Sequence, residues 1–166
     1  MGVSGCGKTT VATQLAERLG WQFAEADLFH SRANVAKMRE AIPLTDDDRW
    51  PWLGDIATWI DAARASGKPS IIACSALKRR YREMIVGSRK DVRLVYLKGS
   101  YDLIAQRMAA RPHHYMPVAL LQSQFDALEE PGPDENAIVV EIGASPEDMV
   151  EAIIAALGPQ AAVQRA

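Results

Sequence analysis

Gly2-Val3-Ser4-Gly5-Cys6-Gly7-Lys8-Thr9 stands at the head of the sequence, and its reading decides the fold. It satisfies G-x-x-x-x-G-K-[ST] at every fixed position. Glycines let successive backbone N–H groups turn inward around a phosphate, where side chains would obstruct them. Val11, Leu15 and Leu19 then recur at helical spacing as far as Gly20. A helix there aims its positive end at the same anion. In this arrangement Lys8 reaches the β- and γ-phosphates of ATP, and Thr9 offers its hydroxyl to Mg²⁺. The nucleotide-binding candidates are therefore Gly2, Val3, Ser4, Gly5, Cys6, Gly7, Lys8, Thr9 and Thr10. Cys6 occupies a variable position and reads as a small filler. The helix N-terminus could still lower its pKa, in which case alkylation would hinder ATP binding.

Outward from the loop, apolar strands alternate with amphipathic segments. Strands are predicted at 22–26, 70–74, 92–97 and 137–142. Helices are predicted at 33–40, 52–63, 77–85, 103–110, 118–128 and 146–157, with 44–50 as a polar connector. Such alternation predicts a parallel sheet covered on both faces, with ligands at the carboxyl ends of the strands. The phosphate loop should itself follow a buried strand. Met1 already lies in the loop region, so that strand is expected to be missing, leaving two unpaired strand edges and a gap in the core. A single domain is expected over 1–157, with a small lid at about 107–123 and a flexible tail at 158–166.

What accepts the phosphate must come from the strand ends. Asp27 follows the first strand and suits either a base or Mg²⁺ organiser, or a helix N-cap; Glu25 alternates with it. Thr45-Asp46-Asp47-Asp48-Arg49-Trp50-Pro51-Trp52 suits a polyhydroxy compound with an anionic group on Arg49, or a helix start with acids complementing the dipole. Lys78 and Arg82 are four apart and share a helical face, as an anion site or as a solvated basic face. Arg107 and Arg111 are also four apart, and Pro112-His113-His114-Tyr115-Met116-Pro117 follows as a lid would. Arginines there stabilise charge on a transferring phosphoryl group.

Composition narrows the classes. The chain has 166 residues, 48% apolar and 24% charged, with a net charge of −2. That balance, with no basic–aromatic interleaving, speaks against a nucleic-acid partner. No apolar run is long enough to span a membrane, and no signal peptide is read. Two cysteines, Cys6 and Cys74, form neither a disulfide framework nor a metal pair, which fits a cytoplasmic setting.

Several further segments sharpen the reading. They are Asp27-Leu28-Phe29-His30, Asn34-Val35-Ala36-Lys37-Met38, Pro43-Leu44-Thr45-Asp46-Asp47-Asp48-Arg49 and Pro51-Trp52-Leu53. Cys74-Ser75-Ala76-Leu77-Lys78 with Tyr81-Arg82, Tyr96-Leu97-Lys98-Gly99, and Gln124-Phe125 with Leu128-Glu129-Glu130-Pro131 complete the set. Together with the phosphate loop, they resemble the gluconate kinase family of the thermoresistant type over nearly the whole chain. The resemblance implies a fold like that of shikimate and nucleoside monophosphate kinases. It also implies phosphoryl transfer from ATP to the 6-hydroxyl of D-gluconate, Mg²⁺, and a homodimer. Asp27, His30, Arg49, Lys78 and Arg82 are then the substrate-binding candidates, and Lys8, Asp27, Arg107 and Arg111 the catalytic ones. The sequence departs from the pattern at Glu25-Ala26-Asp27, where Asp-x-Asp is common, and at Pro112-His113-His114-Tyr115. The rivals are a shikimate or nucleotide kinase of the same fold, and a nucleotide-binding module without catalysis.

Overall fold

Polar caps fix where the helices begin. In the computed structural model, which describes residues 1–40, 42–110 and 119–158, Gly7 precedes α1 (Lys8–Leu19) with φ 98°. Gly20 ends that helix at φ 70°, a left-handed turn that glycine adopts without a Cβ penalty. Ser31 caps α2 (Arg32–Arg39) by accepting from the Asn34 amide. Thr45 and Asp48 form a reciprocal capping box at the head of α3 (Asp46–Ala65). The segment predicted as a polar connector is therefore the first turns of α3. Its acids sit where the helix dipole favours them, and Pro51 is accommodated inside the helix. α4 (Arg79–Ile85), α5 (Tyr101–Ala109), α6 (Ala119–Ala127) and α7 (Pro146–Leu157) follow close to the predicted positions.

The strands are short. β1 (Gln22–Glu25) pairs in parallel with β2 (Ser70–Ala73), Glu25 lying opposite Ala73. β3 (Val95–Lys98) pairs in parallel with β4 (Ile138–Glu141), Lys98 lying opposite Glu141. The predicted single sheet is thus two parallel pairs, and among the described residues no strand joins β2 to β3. Met1 alone reaches into the gap. Its amino group donates to the Val95 carbonyl, and its own carbonyl accepts from Leu97 at 3.0 Å. A cavity of about 410 Å³ occupies the rest, lined by apolar side chains including Val11, Leu15, Ile71, Val95 and Leu97. The expected core gap is present, and Met1 bonds part of the β3 edge.

Two apolar clusters hold the elements together. One packs α1, α5 and α7 against β3 and β4, through Leu15, Ile104, Met108, Val140 and Ile153. The other packs α3 and α4 against the residues after β2, through Trp52, Leu53, Ile56, Cys74 and Tyr81. Trp52 is also tied by its indole N–H to the Ala26 carbonyl at 2.7 Å.

Arg82 sits inside this second region at 1% exposure. Its guanidinium donates to both Glu135 oxygens at 2.5 and 2.8 Å. It also donates to the carbonyls of Ala76, Leu77 and Glu129 at 3.3, 3.1 and 2.8 Å. Ala76 has φ 44°, a left-handed conformation that a residue with a Cβ adopts only when its surroundings hold it there. Arg82 supplies that hold. Removing it leaves the Glu135 carboxylate without its cation and takes one donor from each of three carbonyls, so Arg82→Met should cost about 3 kcal/mol or more in urea unfolding. An unchanged midpoint would show that the clamp contributes nothing.

Candidate active site

The phosphate loop is built as its residue types require. Gly2, Gly5 and Gly7 have φ of 142°, 82° and 98°. A Cβ on Gly5 would lie 2.7 Å from Met108, whereas above Gly7 nothing lies within 4 Å. The cradle is therefore packed from below by α5 and open where an anion would sit. Lys8 Nζ donates to the carbonyls of Gly2 and Val3, each at 3.0 Å. The Ser4 amide donates to Gln124 Oε1 at 2.6 Å, which ties α6 to the loop. Thr9 and Thr10 are exposed on the first turn of α1. Cys6 is fully buried in the first apolar cluster. This fits the small filler read from the sequence, and the buried thiol is closed to a reagent unless the loop opens.

The strand end beside the loop carries acids. Thr9 Oγ1 donates to Glu25 Oε2 at 2.7 Å. Burial raises the Glu25 carboxyl above its ordinary value; the Thr9 bond opposes this and the Asp27 charge adds to it. Asp27 lies in a one-turn 3-10 helix, is exposed, and its carboxylate takes no hydrogen bond among the described residues. The three oxygen-bearing groups suit Mg²⁺, a hard cation that binds one or two carboxylates and keeps the rest of its shell for water and phosphate. Glu25 was legible only as a neighbour of Asp27 along the strand. Its bond to Thr9 places it beside the first turn of α1.

Beyond Asp27 lies a cationic cluster. Tyr81 is buried, and Arg49, Lys78 and Arg80 stand 5.9, 5.6 and 5.8 Å from its ring centroid. Asp46 is the shared counter-ion of Lys78 and Arg80. It accepts from Lys78 at 3.0 Å, pairs with Arg80, and takes the Tyr81 hydroxyl. Arg49 donates to the Leu44 carbonyl at 2.7 Å and makes no ion pair among the described residues. His30 stacks on Trp52 with centroids 4.3 Å apart. Burial lowers its pKa, with the charge of Asp27 opposing and that of Arg49 reinforcing the shift. Lys8, Thr9, Glu25, Asp27, His30 and Arg49 thus form a continuous line from phosphate loop to cation cluster.

Other predicted residues fall elsewhere. Arg82 is corrected: buried under the cleft wall, it holds the loop that carries Lys78 and cannot meet a ligand from this position. Arg107 lies at the end of α5 and donates to the Ile142 carbonyl at 2.6 Å, beyond β4. Arg111, His113, His114 and most of the predicted lid lie outside the described residues, as does the tail from 159 onward. Asp46, Tyr81 and Gln124 stood in the sequence only as members of longer segments, and Arg80 had no role of its own, because their contacts join distant segments.

A phosphate loop on a parallel α/β scaffold, facing a cleft of acids and cations, defines a P-loop kinase. The family model described as "AAA domain" matches residues 1–131. Gluconokinase of Gluconobacter oxydans is 46% identical, covering 93% of this chain and 86% of that protein. Thermoresistant gluconokinase of Escherichia coli is 41% identical, covering 93% and 89%. The crystal structure of a sugar kinase from Janibacter sp. superposes with a TM-score of 0.90 at 47% identity, covering 98% of this chain and 95% of that one. Shikimate kinase of Aquifex aeolicus, at 17% identity and a TM-score of 0.58 over 97% and 95%, shares the fold. The chain belongs to the gluconokinase family. No helix among the described residues is long and apolar enough to cross a membrane.

Lys8 is bonded only to loop carbonyls, so Lys8→Met should leave the melting temperature within a few degrees. ATP affinity, by titration calorimetry, should fall about 100-fold or more, since a charge-assisted contact to phosphate is lost. Unaltered ATP binding would place the nucleotide elsewhere.

Proposed function

We propose that this chain transfers the γ-phosphoryl group of ATP to the 6-hydroxyl of D-gluconate, giving 6-phospho-D-gluconate and ADP. The observation that carries the substrate is the cluster of Arg49, Lys78 and Arg80 around Tyr81, opposed by the single carboxylate of Asp46. Three cations against one anion leave a positive site, which suits a sugar acid better than a neutral sugar. Arg49, with no carboxylate partner of its own, is the anchor for the gluconate carboxylate, and Lys78 assists it. Its planar fork matches a carboxylate.

The polyol chain then runs toward the phosphate loop past His30, and Asp27 orients the 6-hydroxyl and takes its proton. Lys8 and the loop amides hold the outer phosphates, with Gly2 to Thr10 as the cradle. Thr9 and Glu25 hold Mg²⁺, which when bound neutralises charge between the phosphates. Arg107 stands at the edge of the nucleotide side, and Arg111 joins it from the lid in the same reading. The proposal also carries a homodimer and a cytoplasmic setting, the latter supported by two free, buried cysteines.

Coupled ADP release should depend on D-gluconate and be near background with shikimate or with no acceptor. Equal release in all three would reduce the protein to an ATPase. Arg49→Ala should raise the gluconate KM about tenfold or more, with the ATP KM within about twofold; parallel loss for both substrates would remove Arg49 from the acceptor site. Because the Glu25 carboxyl is raised by burial, it protonates sooner on acidification than an ordinary glutamate. At subsaturating Mg²⁺, turnover should therefore fall on acidification sooner than an ordinary glutamate would make it, the bound ion holding the carboxylate ionised at saturation. Glu25→Gln should remove that limb together with most activity. An acid limb that persists unchanged in residual Glu25→Gln turnover would assign it to another group.

A further inference from the structure

Two polar side chains are buried among the described residues, Arg82 and Asn34. Arg82 clamps a strained loop. Asn34 lies in the first turn of α2 at 5% exposure, beneath the acceptor cleft. Its Nδ2 donates to the Asp48 carbonyl at 2.8 Å and lies 3.4 Å from His30 Nδ1.

These contacts determine a proton position. A carbonyl oxygen only accepts, so the amide must present Nδ2 rather than Oδ1 toward Asp48. Nδ2 only donates, so the ring nitrogen it also faces must be an acceptor. The proton of the neutral imidazole is then on Nε2. The ring cannot easily turn away from this pairing. It lies on Trp52 with 13° between the planes, and Trp52 is fixed by its own bond to Ala26. Asp48, whose carbonyl orients the amide, is held by Lys37 at 2.6 Å and by the Thr45 capping box. With one face on Trp52 and the Nδ1 edge on Asn34, the half-buried ring makes no hydrogen bond through Nε2 among the described residues. Burial favours the neutral form, and Asp27 and Arg49 act on it in opposite senses.

We infer that Asn34 is a positioning residue that locks His30 in the Nε2–H tautomer, making His30 a fixed hydrogen-bond donor in the acceptor cleft. An N–H aimed at the cleft is complementary to a hydroxyl oxygen of a polyol, and does not compete with Asp27 for the transferred proton. This use of the donor rests on the gluconate reading of the cleft; the tautomer does not.

Long-range proton–nitrogen correlation spectra of the full chain near neutral pH should show His30 as the Nε2–H tautomer. Asn34→Asp replaces the donor with an acceptor and should draw the proton of the neutral ring to Nδ1, leaving Nε2 without its hydrogen. The gluconate KM should rise about tenfold or more, the worth of one hydrogen bond, while the ATP KM stays within about twofold. Since a carboxylate against the Asp48 carbonyl could unfold the variant, a second pair decides independently. His30→Gln sets an amide N–H near the Nε2 position and should keep the gluconate KM within about threefold, whereas His30→Asn should lose tenfold. An Nδ1–H tautomer in the unaltered protein, or equal losses for His30→Gln and His30→Asn, overturns the inference. If gluconate is not phosphorylated at all, the functional reading fails, while the spectrum still decides the tautomer.

Discussion

The amide of Gly2 donates to the carbonyl of Ser75 at 3.1 Å, joining the loop that holds phosphate to the loop that leads to Lys78. The junction leaves no room for a side chain. A Cβ on Gly2 would lie 2.8 Å from the Leu97 carbonyl oxygen and 2.9 Å from the Cys6 sulfur. Three segments therefore meet at one glycine, and the distance between the two halves of the site is set there. One residue beyond Ser75, Ala76 turns through a left-handed conformation that costs roughly 1–2 kcal/mol. Arg82 offsets that cost by gathering the carbonyls of Ala76, Leu77 and Glu129. Glu129 adds a bond of its own, its amide donating to Leu77 at 2.9 Å. The buried cation and the strained loop thus explain one another, and the product is a fixed position for Lys78.

The three consecutive aspartates show how one acidic run is divided among tasks. Asp46 neutralises part of the cation cluster. Asp47 is exposed on the first turn of α3, where it complements the dipole. Asp48 closes the capping box and pairs with Lys37, which holds its carboxyl down at about 2, so it is ionised at any working pH. The run starts a helix, as one sequence alternative held, and its first member pairs with Lys78 and Arg80. Ordinary capping chemistry places Asp46 beside Lys78, across 32 residues of chain.

Most of the scaffold was legible because it rests on local signals. The glycine spacing announced the phosphate loop, Gly20 and Gly67 marked helix ends, and all four strands overlap the apolar runs that predicted them. What was illegible depended on partners far apart in sequence. Lys78 and Arg82 share a helical spacing, yet one faces the cleft and the other is at 1% exposure, because Glu135 and the Glu129 carbonyl draw Arg82 inward. No periodicity encodes that choice. Tyr81 escaped notice for the same reason: an aromatic at a core position looks like filler until three cations gather around it. Gln124 meets the Ser4 amide across 120 residues, a contact that no local pattern suggests.

The two halves of the site are held by different kinds of atoms, and this bears on what the fold can host. The phosphate side consists of backbone amides, one lysine and one threonine, fixed by glycine geometry and the start of α1. The acceptor side consists of side chains on α2, α3 and the segment after β2. The apolar cluster around Trp52, Leu53 and Ile56 seats it on the scaffold, Trp52 bonds the Ala26 carbonyl, and Asn34 ties α2 to α3 through the Asp48 carbonyl. Replacing those side chains would change the acceptor without disturbing the cradle. A scaffold shared with shikimate kinase at 17% identity is what such a division allows. On the reading proposed above, the identity of the acceptor rests on the cluster around Tyr81 and the ring of His30, while the fold shared with shikimate kinase does not specify it.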